Sequence, residues 1–200
     1  GVKIGIGKPF PDTPDRGILI VNTEFTPMAS PEFESGPPSE DAVELSRIVD
    51  RGIRESDAIE LDKLCLVEGE NVFSTFVDIH IINHHGNLQD AASLASIAAL
   101  RNTRLPKLEN DKIVRGEYDK PLPVVFTPIN VTVSKVGDNF ILDPNYDEEK
   151  ILDSKLSISV RDDDKICALQ KQGVNEIKFE DVERMLDIAI EKSKELRKLV

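Results

Sequence analysis

Three groups of residues in this chain have the types and spacing to do chemistry. Arg47, Arg51 and Arg54 recur at i, i+4 and i+7, so on a helix three guanidinium groups share one face. Arginine binds phosphate oxygens in pairs, and such a face can track a phosphate chain. The competing reading is local pairing of Arg47 with Glu44, Arg51 with Glu55 and Arg54 with Asp50. Each such pair is worth only ~0.3 kcal/mol, too little to hold an arginine away from a phosphate. The second group is the chain's histidines, His80, His84 and His85, beside Gly86 and Asn87 in the stretch FVDIHIINHHGN. The alternation of FVDIHII predicts a strand with His80 and His84 on one face and His85 on the other. Two ligands on one face, with no cysteine nearby, do not make a zinc site. A glycine turn feeding a helix whose N-cap is Asn87 is instead a natural anion site. The third group is acidic: Asp143, Asp147, Glu148, Glu149 and Asp153. Paired carboxylates serve two-metal phosphoryl chemistry, yet after Pro144 the same acids suit the exposed first turn of a short helix. GIGKP near the start is no phosphate loop, because Pro9 stands where Ser or Thr would reach magnesium.

The elements that must position these groups follow from the pattern. Residues 2–6 and 17–22 read as two strands joined by PFPDTPDRG into a hairpin-like pair, and the prolines of residues 23–39 impose a long irregular loop. Ser39 caps a first helix with Leu45, Val49 and Ile53 inward. Strands over 61–67 and 72–82 follow, and then a helix from Asn87 with Leu88, Ala91, Ala92, Ala95, Ala98 and Ala99 as its packing face. Residues 107–121 are charged and turn-rich, a link between halves. Strands over 124–135, 139–143, 156–160 and 165–170 precede a last helix from Phe179, with Val182, Met185, Leu186, Ala189, Ser193 and Leu196 on one face. Each half runs strands then helix, with helices gathered to one face: an α+β fold in two βα halves.

Composition narrows the function. A 200-residue chain with 40% hydrophobic and 31% charged residues has a real core, and no apolar run approaches a membrane span. The net charge of −12 opposes long-range attraction of nucleic acid, so any RNA contact is local. Cys65 and Cys167 stand alone in apolar, strand-like surroundings, which points to buried, reduced thiols and an intracellular setting. The opening GVKIGIG reads as the middle of a sheet, an expectation that N-terminal strands are missing.

Three long stretches and a late strand carry a resemblance: EFTPMASPEFESGPPSEDAVELSRIVDRGIRES, DIHIINHHGNLQDAASLASIAALRNTRLP, FILDPNYDEEKILDSKLSISV and KICALQKQG. In this order, over nearly the whole chain, they resemble the RNase PH family of phosphorolytic exoribonucleases, and within it the non-catalytic ring subunit of the archaeal exosome. The resemblance implies the RNase PH-like (ribosomal protein S5 domain 2-like) fold, with helices packed on mixed sheets. It divides the chain into an N-terminally truncated first half at 1–106, a linker at 107–122 and a second half at 123–200. In active members the turn matching HGNLQDAA carries an arginine followed by threonine or serine, which hold the attacking phosphate; here Gln89 and Asp90 occupy those places. A second phosphate-binding arginine is matched by Asp41. Asp143 matches the first catalytic acid, and Glu149 stands in the place of the second. The resemblance therefore implies a catalytically silent subunit without cofactor or metal, with Arg47, Arg51 and Arg54 contacting single-stranded RNA. Its implied partners are a catalytic RNase PH-like subunit, in a hexameric ring of three heterodimers, and RNA-binding cap subunits. A soluble, cytoplasmic location with no membrane role follows. The alternative is an active phosphate-dependent 3′ to 5′ exoribonuclease.

Overall fold

A computed structural model describes residues 1–110 and 112–200. The first half comprises β1 (Val2–Gly7), β2 (Ile18–Phe25), α1 (Glu40–Arg54), β3 (Cys65–Val67), β4 (Asn71–Ile81) and α2 (Leu88–Arg101). The second comprises β7 (Ile129–Val136), β8 (Asn139–Leu142), α3 (Tyr146–Glu149), β9 (Ser154–Val160), β10 (Ile166–Gln172) and α4 (Phe179–Leu196). Between them, the segment expected to be a turn-rich link is built as a hairpin of β5 (Arg104–Glu109) and β6 (Lys112–Pro121). Its charged residues lie largely exposed along the two strands.

β1 and β2 do not pair with each other, contrary to the sequence expectation. Both flank β4, β1 antiparallel and β2 parallel to it, in the order β1-β4-β2. β4 wins the central place because it is the longest strand and offers an apolar face to both neighbours. Val77 lies opposite Val2 on one side and Val21 on the other. The loop PFPDTPDRG is too long for a tight hairpin, so it carries the chain across the sheet instead. Residues 61–64, expected as strand, form a 3₁₀ turn before β3.

The second sheet is antiparallel in the order β10-β9-β7-β8, and helices cover both of its faces, not one. Ile129, Val131 and Val133 of β7 and Leu156, Ile158 and Val160 of β9 are buried on the side of α4, which brings Met185 and Ala189, both fully buried. Each fully buried aliphatic side chain of this size is worth about 1.5–3 kcal/mol. The opposite face is polar: Asn130, Thr132, Ser157 and Ser159 are buried against α1 and α2. Hydrogen bonds replace apolar contact there, from the Ser159 hydroxyl to Asn130 Oδ1 at 3.1 Å and between the Thr132 and Ser157 hydroxyls at 3.0 Å. Gly52 lets α1 approach this face, since a Cβ there would stand 2.9 Å from Ser159 Oγ.

The helix from Asn87 turns its alanines partly outward. Ala91 and Ala95 are exposed, and the buried positions are Gln89, Ala92, Ser96, Ile97 and Leu100. The rotation brings the polar residues of α2 onto the polar face of the second sheet. Cys65 and Cys167 are free thiols, but half-buried and not enclosed, and burial pushes the Cys167 thiol up from its ordinary pKa. Among the described residues no helix is long and apolar enough to cross a membrane.

Candidate functional site

The N-terminus of α2 is where distant pieces of the chain converge. Asn87 adopts a left-handed conformation, φ +45°, which asparagine tolerates better than most residues. This turns its side chain away from the helix's own N–H groups, so it forms no cap bond, contrary to expectation. Its Nδ2 donates instead to Asp143 Oδ1 at 3.0 Å and Asp90 Oδ2 at 3.2 Å, and its backbone N–H donates to Glu149 Oε1 at 3.3 Å. The two acids singled out in sequence are thus gathered around one asparagine. Asp143 follows β8 directly, with φ +50°. Pro144 and Asn145 then lead into α3, where Asn145 forms a capping box with Glu148. The joint depends on Gly86: at φ +102°, a Cβ there would lie 2.2 Å from the Pro144 carbonyl oxygen.

Gln89 and Asp90 face inward. The Gln89 carboxamide oxygen accepts from the Ser157 hydroxyl at 2.6 Å and lies 3.2 Å from the Thr132 hydroxyl, and its nitrogen donates to Gln172 Oε1. The Asp90 carboxylate accepts four hydrogen bonds, from Asn87 Nδ2, Asn130 Nδ2 at 2.7 Å, and the Thr132 amide at 2.9 Å and hydroxyl at 2.8 Å. Burial raises its pKa and the four donors work against that rise. Beside the helix end lies a largely apolar cavity of about 340 Å³, lined by Leu94, Val131, Leu142, Asp143, Lys192 and Leu196 among others. No arginine is among the described residues lining it. A helix N-terminus favours an anion, but carboxylates surround this one, and the two lysines beside it are paired, Lys192 with Glu195 at 2.9 Å and Lys155 with Glu149 at 3.5 Å.

The arginine face of α1 divides in two. Ser39 caps the helix, its hydroxyl accepting from the Ala42 amide at 3.2 Å. Arg47 and Arg51 line an open groove of about 540 Å³ with Val43, Glu44 and Gln170. Arg51 donates to Gln170 Oε1 at 3.3 Å, and Arg47 has no hydrogen-bond or ion-pair partner among the described residues. Arg54 turns elsewhere: it pairs with Asp50 at 2.7 Å and donates to the Leu19 carbonyl oxygen at 3.0 Å. Of the three local pairs anticipated, only Arg54 with Asp50 forms. Asp41 is exposed in the first turn of α1 and lines a different cleft, beside β2. It does not join Gln89, Asp90, Asp143 and Glu149, the other positions that the resemblance singled out.

The histidines have structural surroundings. Only His80 is on β4, which ends at Ile81, so His84 and His85 lie beyond the strand and the expected shared face does not exist. His80 Nδ1 faces Glu24 at 2.9 Å. His84 stacks on Phe33 with centroids 5.4 Å apart, meets Tyr146 edge-on at 5.2 Å, and accepts the Gly86 N–H at Nδ1. Among the described residues no group of three or more His, Cys, Asp or Glu side chains is arranged to hold a metal ion. Sequence reasoning missed the polar lining of Asn130, Thr132, Ser157 and Gln172. Its signal was available: polar residues at every second position of β7 and β9, opposite an apolar set.

Residues 1–106 match the model of the 3′ exoribonuclease family, domain 1, and residues 127–192 that of domain 2. The chain belongs to this family, the RNase PH family. It is 47% identical over its full length to the exosome complex component Rrp42 of Thermococcus gammatolerans, covering 75% of that protein. It is 48% identical over 98% of its length to Rrp42 of Methanothermobacter thermautotrophicus, covering 73% of it. Among solved structures it superimposes with TM-score 0.92 and 47% identity on a chain of the Archaeoglobus fulgidus exosome with RNA bound to the active site. There it covers 99% of this chain and 76% of the other. An archaeal exosome core chain matches with TM-score 0.86 at 42% identity, over 99% of this chain and 74% of that one.

Proposed function

We propose that the chain is a catalytically silent ring subunit of an archaeal exosome, which shapes the RNA path and leaves phosphorolysis to a catalytic RNase PH-like partner. The similarity to exosome components over the full chain supports the assembly. The observation that carries the silence is Gln89. At the position where the resemblance puts a phosphate-holding arginine, a neutral side chain is bound inward by Ser157 and Gln172. Asp90 beside it is a fully engaged carboxylate, and Asp41, at the second arginine position, adds an exposed one. Phosphorolysis needs inorganic phosphate held as the nucleophile, by cations in preorganised positions. At the α2 N-terminus Gln89 brings no charge to hold it and the Asp90 carboxylate repels it.

Arg47 and Arg51, exposed in one groove, are the positions best suited to carry RNA phosphates, and Arg54 supports the helix. The reading extends to three heterodimers in a hexameric cytoplasmic ring, closed by RNA-binding cap subunits, and to a division of the chain at 1–106, 107–122 and 123–200. A second reading, an active phosphate-dependent exoribonuclease, is favoured by one observation: Asp143 and Glu149 remain together at the helix end. The two separate in one assay. Purified chain is incubated with 5′-labelled single-stranded RNA, magnesium and phosphate, alone and then with the catalytic partner, and release of nucleoside diphosphates is measured. No release from the chain alone, and release from the complex that survives Asp143→Ala here, is the expected result. Phosphate-dependent turnover by the chain alone overturns the silence.

A further inference from the structure

The cavity of about 340 Å³ beside the α2 N-terminus lies at the lower end of the range for small-molecule sites. Its walls are aliphatic. Ala91 and Leu94 come from α2, Val131 from β7, Leu142 from β8 and Leu196 from α4. Val131 is buried, while Leu94, Leu142 and Leu196 are half-buried, so the walls run from the core out to an open mouth.

Three carboxylates and one ammonium also line the cavity: Asp90, Asp143, Glu195 and Lys192. Lys192 and Glu195 pair with each other at 2.9 Å, and Asp90 accepts four hydrogen bonds from within the fold. Asp143 is left over. It is exposed, takes the Asn87 side-chain amide on Oδ1 at 3.0 Å, and has no hydrogen-bond or ion-pair partner on its other oxygen among the described residues. The Asn87 N–H, at the positive end of α2, goes to Glu149 and not to Asp143.

These surroundings select a ligand by its charge and by its stem. An anion meets an unopposed carboxylate. A neutral apolar group would cover Asp143 without pairing it, which costs free energy. A divalent metal needs several oxygen ligands in a fixed array, and among the described residues no group of three or more His, Cys, Asp or Glu is so arranged. An aliphatic cation satisfies both parts of the cavity, its stem against leucines and its head in reach of water and a carboxylate, as for a lysine side chain lying along an apolar surface.

We infer that this cavity binds a primary ammonium on an aliphatic stem, with the methylenes against Leu94, Leu142 and Leu196 and the ammonium donating to Asp143. Beside the place where the resemblance puts a phosphate, the charge preference is reversed. The inference goes beyond catalytic silence, and its test uses neither RNA nor phosphate, so the two readings fail separately.

n-Butylammonium, n-butanol and butyrate share one stem and differ in charge. Each is titrated into the isotopically labelled chain and followed by NMR through the amide resonances of Ala91 and Leu94. The ammonium binds tightest, the alcohol about tenfold more weakly and butyrate weakest. Equal binding of ammonium and alcohol, or tighter binding of butyrate, overturns the site. Shortening the stem to ethylammonium weakens binding about threefold per methylene; a flat series overturns the aliphatic seat. Asp143→Asn removes the charge and keeps an oxygen for the Asn87 amide, so it weakens butylammonium about tenfold and leaves butanol unchanged. Glu180→Gln, at the other end of α4, changes neither. Undiminished butylammonium binding by Asp143→Asn, or an equal loss in both variants, overturns the assignment, and the probe series in the parent chain decides without any variant. Displacement of butylammonium by magnesium chloride beyond that by sodium chloride of equal ionic strength gives the carboxylate to a metal and refutes the ammonium. N-acetyl-lysine methylamide separates the two sources of this chemistry. Binding as tight as that of butylammonium assigns the cavity to a lysine side chain of a partner protein, and binding of the free amine alone assigns it to a small-molecule amine.

Discussion

Replacing Gly86 with alanine tests whether the joint between the α2 N-terminus and the turn after β8 is as tight as its geometry requires. Two costs add. The backbone at φ +102° lies where L-residues are strained, worth about 1–3 kcal/mol. The new methyl would meet the Pro144 carbonyl oxygen at 2.2 Å, the Asn145 carbonyl carbon at 2.7 Å and the Asn145 Cα at 2.9 Å. These are backbone atoms with no rotamer to escape into, so the two segments must move apart, at about 1–3 kcal/mol for overpacking. The sum is about 2–6 kcal/mol, and for a chain of this size each kcal/mol lowers the melting temperature by roughly 2–4 °C. Gly69→Ala is the internal control: its φ is +74° and nothing lies within 4 Å of the added methyl, so it carries only the backbone cost. Urea unfolding of both variants, followed by circular dichroism, should place Gly86→Ala well below Gly69→Ala. If the two variants lose the same stability, the close contact between residue 86 and the 144–145 turn does not exist. The arrangement of Asp143 and Glu149 around Asn87 would fall with it.

Charge-removing substitutions on α1 should separate by position. In the assembled complex, Arg47→Gln or Arg51→Gln weakens RNA by about 1.5–3 kcal/mol per lost charged hydrogen bond and flattens the salt dependence. Arg54→Gln lowers melting temperature through loss of the Asp50 and Leu19 contacts and leaves RNA affinity unchanged; the reverse ranking refutes the division of this face. The Lys135–Asp181 pair, which ties the start of α4 to β7, gives a pH-dependent prediction. Its hydrogen bond to Lys135 holds the Asp181 carboxyl below its ordinary pKa. The stability it adds is therefore present above the unfolded value near 3.8 and is lost as pH falls through the lower folded value. Asp181→Asn should be less stable than the parent at pH 7, and the difference should close below about pH 4; a constant difference from pH 7 to pH 3 contradicts the ion pair.

Periodicity alone determined most elements of this protein. The inward stripe of α1, the Ser39 cap, the face of α4 and the short acidic helix after Pro144 follow from spacing and capping chemistry, which act within a few residues. The matched motifs identified the family, and with it the reading proposed above for Asp41, Gln89, Asp90, Asp143 and Glu149. Pairing partners were decided by the tertiary structure. β1 and β2 look like a hairpin because nothing local reveals that β4, some fifty residues on, competes for both edges with a longer apolar face. Asn87 reads as a cap until the approach of the 144–145 turn fixes it at positive φ and hands its amide to acids far along the chain. The three arginines share a helical face by arithmetic, yet the Leu19 carbonyl and Asp50 claim one of them. The alanines of α2 looked like a packing face because small residues fit closely against a sheet. The helix instead presents Gln89 and Asp90, since hydrogen bonds from Asn130, Thr132 and Ser157 satisfy polar groups that would be costly to bury alone. A sequence states each residue's polarity but not its distant partner, and in this fold the distant partner sets which way the helix faces.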